Sequence, residues 1–126
     1  MIFVPGRPVP WGMGRETRAG RRLKPERLKV FQEKVAYAWR EHCGSLRFPG
    51  AVAIRLGILL STSGRLKIDE DNVKKAVADA LKHVAFGDDD LVYSSTVYKQ
   101  PCRPGEEGIF FAVEPYGGPV DPRHAA

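Results

Sequence analysis

Residues 51–60 read AVAIRLGILL and residues 69–84 read DEDNVKKAVADALKHV, and the change of period between the two decides the fold class. In the first, Val52, Ile54, Leu56 and Ile58 alternate with Ala53, Arg55, Gly57 and Leu59. That is a strand with one apolar face. In the second, Val73, Ala76, Val77, Ala80, Leu81 and Val84 recur at steps of three and four, the buried stripe of a helix that Asp71 is placed to cap. Gly87 and the aspartates after it should break that helix. Residues 91–99 are rich in Val, Tyr and Thr and read as a strand again.

Working outward, Ile109 to Glu114 reads as a further strand after the Pro104-Gly105 turn. Toward the N-terminus, Ile2–Val4 reads as a short strand stopped by Pro5-Gly6. Residues 7–24 interleave Pro8, Pro10, Gly12, Gly14 and Gly20 with arginines. They have no apolar period, so a mobile basic loop is expected. Pro25 suits the first position of a helix because its missing N–H costs nothing there. Leu28, Phe31, Val35, Ala38 and Trp39 would form its inner face, and Cys43-Gly44 its end. The order β–α–β–α–β–β predicts an α+β domain over residues 1–115, with two main helices packed on one small mixed sheet. Residues 116–126, rich in Gly and Pro, are expected to be a flexible tail.

The 126 residues suit one domain, and 43% hydrophobic with 28% charged residues suits a soluble globular chain. No apolar run approaches the roughly 20 residues that cross a bilayer, and no secretory signal is visible at residues 1–10. The cytoplasm is therefore the expected location, and no membrane partner is expected. Cys43 and Cys102 belong to no ligand pattern and should be free thiols. The net charge is +5, a weak pointer to nucleic acid. Its distribution says more. Residues 7–34 hold nine basic residues (Arg7, Arg15, Arg18, Arg21, Arg22, Lys24, Arg27, Lys29 and Lys34) against Glu16, Glu26 and Glu33. Acidic residues gather instead at Asp69–Asp71 and Asp88–Asp90. Bases can hold phosphates while acids hold cations that reach the scissile one.

Asp69 and Asp71 stand two apart on the approach to the second helix, so their side chains can point the same way. The Asp88–Asp90 group returns one helix later. Carboxylates converging there would repel one another unless a divalent cation joined them. Mg²⁺ takes carboxylates, waters and phosphate oxygens, and such a site activates water and offsets phosphate charge. Lys75 lies four residues after Asp71 and shares its helical face, where its ammonium could stabilise a leaving oxygen. Asp79, four further on, could orient that ammonium. Lys74 would turn toward solvent or the DNA backbone. Each piece has a plainer reading: Asp71-Asn72 as a cap, the aspartate triple as a turn, Lys75 with Asp79 as a surface pair. An EF-hand is excluded, because Lys74 and Ala80 stand where that loop needs Gly and Glu.

Asp69-x-Asp71-Asn72-x-x-Lys75, then Asp79-Ala80-Leu81, then Asp88-Asp89-x-x-Val92 resembles the signature of the RusA family of Holliday-junction resolvases. Val4-Pro5-Gly6-Arg7-Pro8 is similar to that family's first strand and turn. The resemblance runs from about residue 2 to about residue 114 and is specific between Asp69 and Val92. It implies a homodimeric, Mg²⁺-dependent endonuclease of recombination and repair, with Mn²⁺ as a possible substitute. Such enzymes are often prophage-borne, and each subunit nicks one strand of a four-way junction. It implies that Asp69, Asp71 and Asp89 bind metal, that Lys75 is the catalytic lysine and that Asp88 is the companion of Asp89. Asp89 is chosen within the triple because Val92 then meets the family's strand valine. Asp79 supports the site. Arg7, Arg15, Arg18, Arg21, Arg22 and Lys74 would contact DNA. Glu70 and Trp11 depart from the family pattern; Trp11 could stack on an unpaired base or cover a dimer edge. Val52, Ile54, Val97 and Phe110 are candidates for the dimer interface. The competing functions are a nuclease for flaps or other branches and a non-catalytic DNA-binding module. No small-molecule cofactor is expected.

Overall fold

A computed structural model describes residues 1–12, 24–61 and 68–117. Arg15, Arg18, Arg21 and Arg22, and most of the expected tail, lie outside the described residues. Within them the order is β1 (Ile2–Pro5), α1 (Glu26–Cys43), β2 (Val52–Ser61), α2 (Glu70–Leu81), β3 (Val92–Cys102) and β4 (Gly108–Pro115). The strands form one sheet in the order β1-β4-β2-β3. β4 pairs antiparallel with both β1 and β2, whereas β2 and β3 run parallel. A parallel pair needs a crossover between its strands, and α2 supplies it. The sheet is therefore mixed, as the element order predicted.

The period-2 pattern of β2 explains the core. Val52, Ile54, Leu56, Ile58 and Leu60 are all buried in one cluster with Leu28, Phe31, Val35 and Trp39 of α1 and Val73, Val77 and Leu81 of α2. Both helices thus cover the same side of β2. The opposite side carries Phe3 against Phe110, ring centroids 4.6 Å apart, and Tyr98, whose ring lies over Gly57, so that a Cβ there would meet its hydroxyl at 2.6 Å. Val52 and Ile54 are 0% and 1% exposed, which removes them as interface candidates: they fill the chain's own core. Phe110 and Val97 are half-buried.

Several boundaries differ from the sequence reading: Pro25 is the N-cap of α1 and not its first residue, and β3 runs on to Cys102. Helix α2 ends at Leu81, ahead of Gly87 and the aspartates. Val84 therefore lies outside it, half-buried in a turn. The cause is Phe86, fully buried and bridged to Phe48 and Lys82, which draws the chain back early. His83 takes φ 70° to allow this, and its N–H donates to the Phe86 carbonyl at 2.7 Å. At the other end of the chain, Tyr116 is held: its N–H donates to the Ala51 carbonyl at 2.9 Å, and its ring meets Tyr93 at 5.4 Å.

Candidate active site

The head of α2 is built by Asp69, whose extended backbone (φ −77°, ψ 113°) makes it the N-cap. Its Oδ1 accepts from the N–H of Asp71 at 2.9 Å and of Asn72 at 3.4 Å, and its Oδ2 accepts from Asn72 Nδ2 at 3.2 Å. This corrects the expectation that Asp71 caps the helix. Asp71 lies in the first turn, exposed, with no side-chain partner among the described residues. Its charge suits the positive end of the helix dipole. Glu70 turns away to Lys99, 3.7 Å distant, and Lys99 also donates to the Ile68 carbonyl at 3.3 Å. That brace fixes the entry to α2 against β3.

The second acidic group arrives on a short 3-10 turn, Asp89–Leu91, capped by Asp88. Asp88 accepts the Asp89 N–H at 2.6 Å. That bond holds the Asp88 carboxyl below the usual carboxylate range; desolvation opposes the shift, while Asp90 and the Lys82 charge add to it. Asp88 thus orients the turn. Asp89 is exposed and lines a cavity of about 340 Å³ with Trp11, Lys74, Lys75 and Asp79. Lys75, four residues beyond Asp71, brings an ammonium to the same face of α2. Asp71 stands one helix turn before Lys75, which shares that cavity with Asp89; Asp71 is not among its lining residues.

Asp79 does not orient Lys75. Its Oδ2 accepts from Lys24 Nζ at 3.2 Å and Gln32 Nε2 at 2.9 Å. Gln32 Nε2 also donates to the Ala76 carbonyl at 2.9 Å, and Lys24 Nζ donates to Gln32 Oε1 at 2.6 Å. Lys24 stands 5.1 Å from the Trp11 ring centroid, within cation–π range. The Trp11 backbone N–H donates to the Asn72 carbonyl at 2.8 Å. The network ties both ends of the basic segment, Trp11 and Lys24, to α2. Sequence reasoning missed Gln32 and Lys24 here. The available signal was Gln32 itself, a polar residue four after Leu28 on the inner stripe of α1. It is buried, 7% exposed.

The carboxylates of Asp69, Asp71 and Asp89 are hard oxygen donors of the type Mg²⁺ takes. Asp71 and Asp89 have no side-chain partner among the described residues that would compete for a cation. Among the described residues, no three His, Cys, Asp or Glu side chains are gathered closely enough to hold a metal ion. Of the residues expected on DNA, Lys74 lines the Asp89 cavity and Arg7 is exposed beside a second cavity. No helix among the described residues is long and apolar enough to cross a membrane.

The family model of the endodeoxyribonuclease RusA matches residues 5–109. That span includes both helices, β2, β3 and every residue assigned here to the acidic site. No curated protein matches the chain.

Proposed function

The chain belongs to the RusA family of endodeoxyribonucleases, and from that premise we propose that it resolves four-way DNA junctions by Mg²⁺-dependent, paired and symmetric nicks. The observation that carries the reading to particular atoms is the shared cavity of Lys75 and Asp89, one helix turn from Asp71. In this reading Asp69, Asp71 and Asp89, which the described structure does not gather into one cluster, would hold the cation. When bound, Mg²⁺ (or Mn²⁺) lowers the pKa of a water and offsets charge on the scissile phosphate. Asp88 keeps the Asp89 turn in place. Lys75 faces the reacting phosphate and stabilises the oxygen that leaves. Lys74, Arg7 and the arginines at 15, 18, 21 and 22 hold neighbouring phosphates, which positions the strand without reading its sequence. The Gln32–Asp79–Lys24 network supports that basic segment where it joins α2.

A four-way junction offers two equivalent strands, and a two-fold dimer matches that symmetry. We place two copies on one junction, one active site per nicked strand, in the cytoplasm. Phe110 and Val97 remain interface candidates. The test separates nuclease from passive binder: labelled junction is mixed with protein in Mg²⁺ and in excess chelator. The nuclease cuts only in Mg²⁺ and still binds in chelator. Binding with no cleavage in either condition would reduce the chain to a DNA-binding module.

A further inference from the structure

Outside the acidic site, the turn after β1 and the first turns of α1 enclose a cavity of about 530 Å³. Its floor is apolar, with Pro8, Phe31 and Ile68, and its rim carries Arg7, Arg27 and Lys34. Glu26 is the one acidic lining residue among those described. Three cations against one anion leave a positive concavity, and low-dielectric walls strengthen its field. Arg7 and Lys34 are exposed and have no hydrogen-bond or ion-pair partner among the described residues. Gly6 lets the chain turn at the rim, in a backbone conformation that L side chains rarely adopt. It takes φ 108°, and a Cβ there would stand 3.7 Å from Lys34 Nζ.

The cavity adjoins the acidic site through the chain itself. Pro10 lines this cavity and Trp11, the next residue, lines the one holding Lys75 and Asp89. Ile68 lines its floor, and Asp69 follows it. Consecutive residues, Pro10 and Trp11, thus line the two cavities, so the two lie next to each other along the chain.

We propose that the cavity rimmed by Arg7, Arg27 and Lys34 is a second phosphate subsite, which grips a backbone phosphodiester of the bound DNA other than the scissile one. Arg7 offers a planar fork suited to two phosphate oxygens and Lys34 a point charge. This subsite rests on the reading of the chain as a DNA nuclease, and it extends that reading from the cut to the grip that holds the strand.

The experiment measures four-way-junction affinity against salt concentration in excess chelator, where no cutting interferes. Each lost phosphate contact lowers the slope of log K against log salt by about 0.9, so the pair R7Q/K34Q should flatten it by roughly 2 units, and each single variant by about half that. The pair K29Q/R40Q removes the same charge from exposed positions of α1 outside the cavity and should leave the slope close to wild type. The charge-keeping pair R7K/K34R should restore most of the slope. Equal flattening by both neutral pairs would mean a net-charge effect and overturn the subsite, as would an unchanged slope in R7Q/K34Q. A wild-type protein that binds junctions but never cuts them would overturn the nuclease reading alone, because the slope comparison uses binding only.

Discussion

Asp71 and Asp79 stand about two turns apart on one helix and belong to the same motif, yet the fold uses them in opposite ways. Asp71 is exposed and has no side-chain partner among the described residues. Asp79 accepts from Lys24 and Gln32 and is about a third exposed. A carboxylate already neutralised by an ammonium of the chain, as Asp79 is by Lys24, gains little by recruiting an external cation, whereas Asp69 accepts only neutral N–H groups among the described residues and keeps its charge. One left facing solvent beside a second exposed carboxylate gains much. On the proposed function, the difference separates a residue for chemistry from one for architecture. Substitutions at the two ends of the helix should therefore fail in different ways.

The largest effect is expected at the exposed end. Asp71→Asn should abolish junction cleavage while binding stays near wild type, because one metal-binding charge is lost and no phosphate contact is. The fold should hold, with a stability change within about 0.5 kcal/mol, as for a surface position. Cleavage at the wild-type rate would break the comparison at its first term. One turn on, Lys75→Ala should slow single-turnover cleavage by about 10²–10³, the usual consequence of losing one preorganised donor. A large loss of affinity with normal turnover of bound DNA would make Lys75 a docking residue instead.

At the buried end the readout changes from rate to stability. Gln32→Leu leaves the Ala76 carbonyl and Asp79 without a donor that they now share, a loss of about 1–3 kcal/mol in urea denaturation. An unchanged midpoint would mean that the Gln32 bonds contribute nothing net and that Asp79 is held by Lys24 instead. The smallest effect is expected at the turn that lets the chain return from α2 to Asp88. His83 holds φ 70°, which favours glycine. His83→Gly should leave stability unchanged or raise it by up to about 1 kcal/mol, whereas His83→Val should lower it.

The same contrast explains what was legible in the sequence. Exposed and core positions follow simple periods: the β2 alternation and the α1 stripe located the sheet core, and the four-residue spacing of Asp71 and Lys75 put them on one face of α2. Asp79 was misassigned because helix spacing shows which residues share a face but not what packs against that face. Its partner Gln32 lies on α1, and the pairing exists only once the two helices meet. The cap moved from Asp71 to Asp69 for a local reason, since two aspartates in tandem positions compete for one set of N–H groups and backbone geometry decides between them. Helix α2 ended early because Phe86 is drawn into the core, a tertiary demand that overrides the continued stripe at Val84.

The most direct test of the account is a strand-resolved digest of a synthetic four-way junction, each of its four strands labelled in turn, by the wild-type protein and Asp71→Asn side by side in Mg²⁺. The account predicts that wild type nicks two opposing strands at symmetric positions to yield two linear duplexes, and that Asp71→Asn binds the same junction and yields none. Paired symmetric nicks that persist in Asp71→Asn would contradict the assignment of the site. A wild-type digest that cuts flaps while leaving the junction intact would contradict the proposed function.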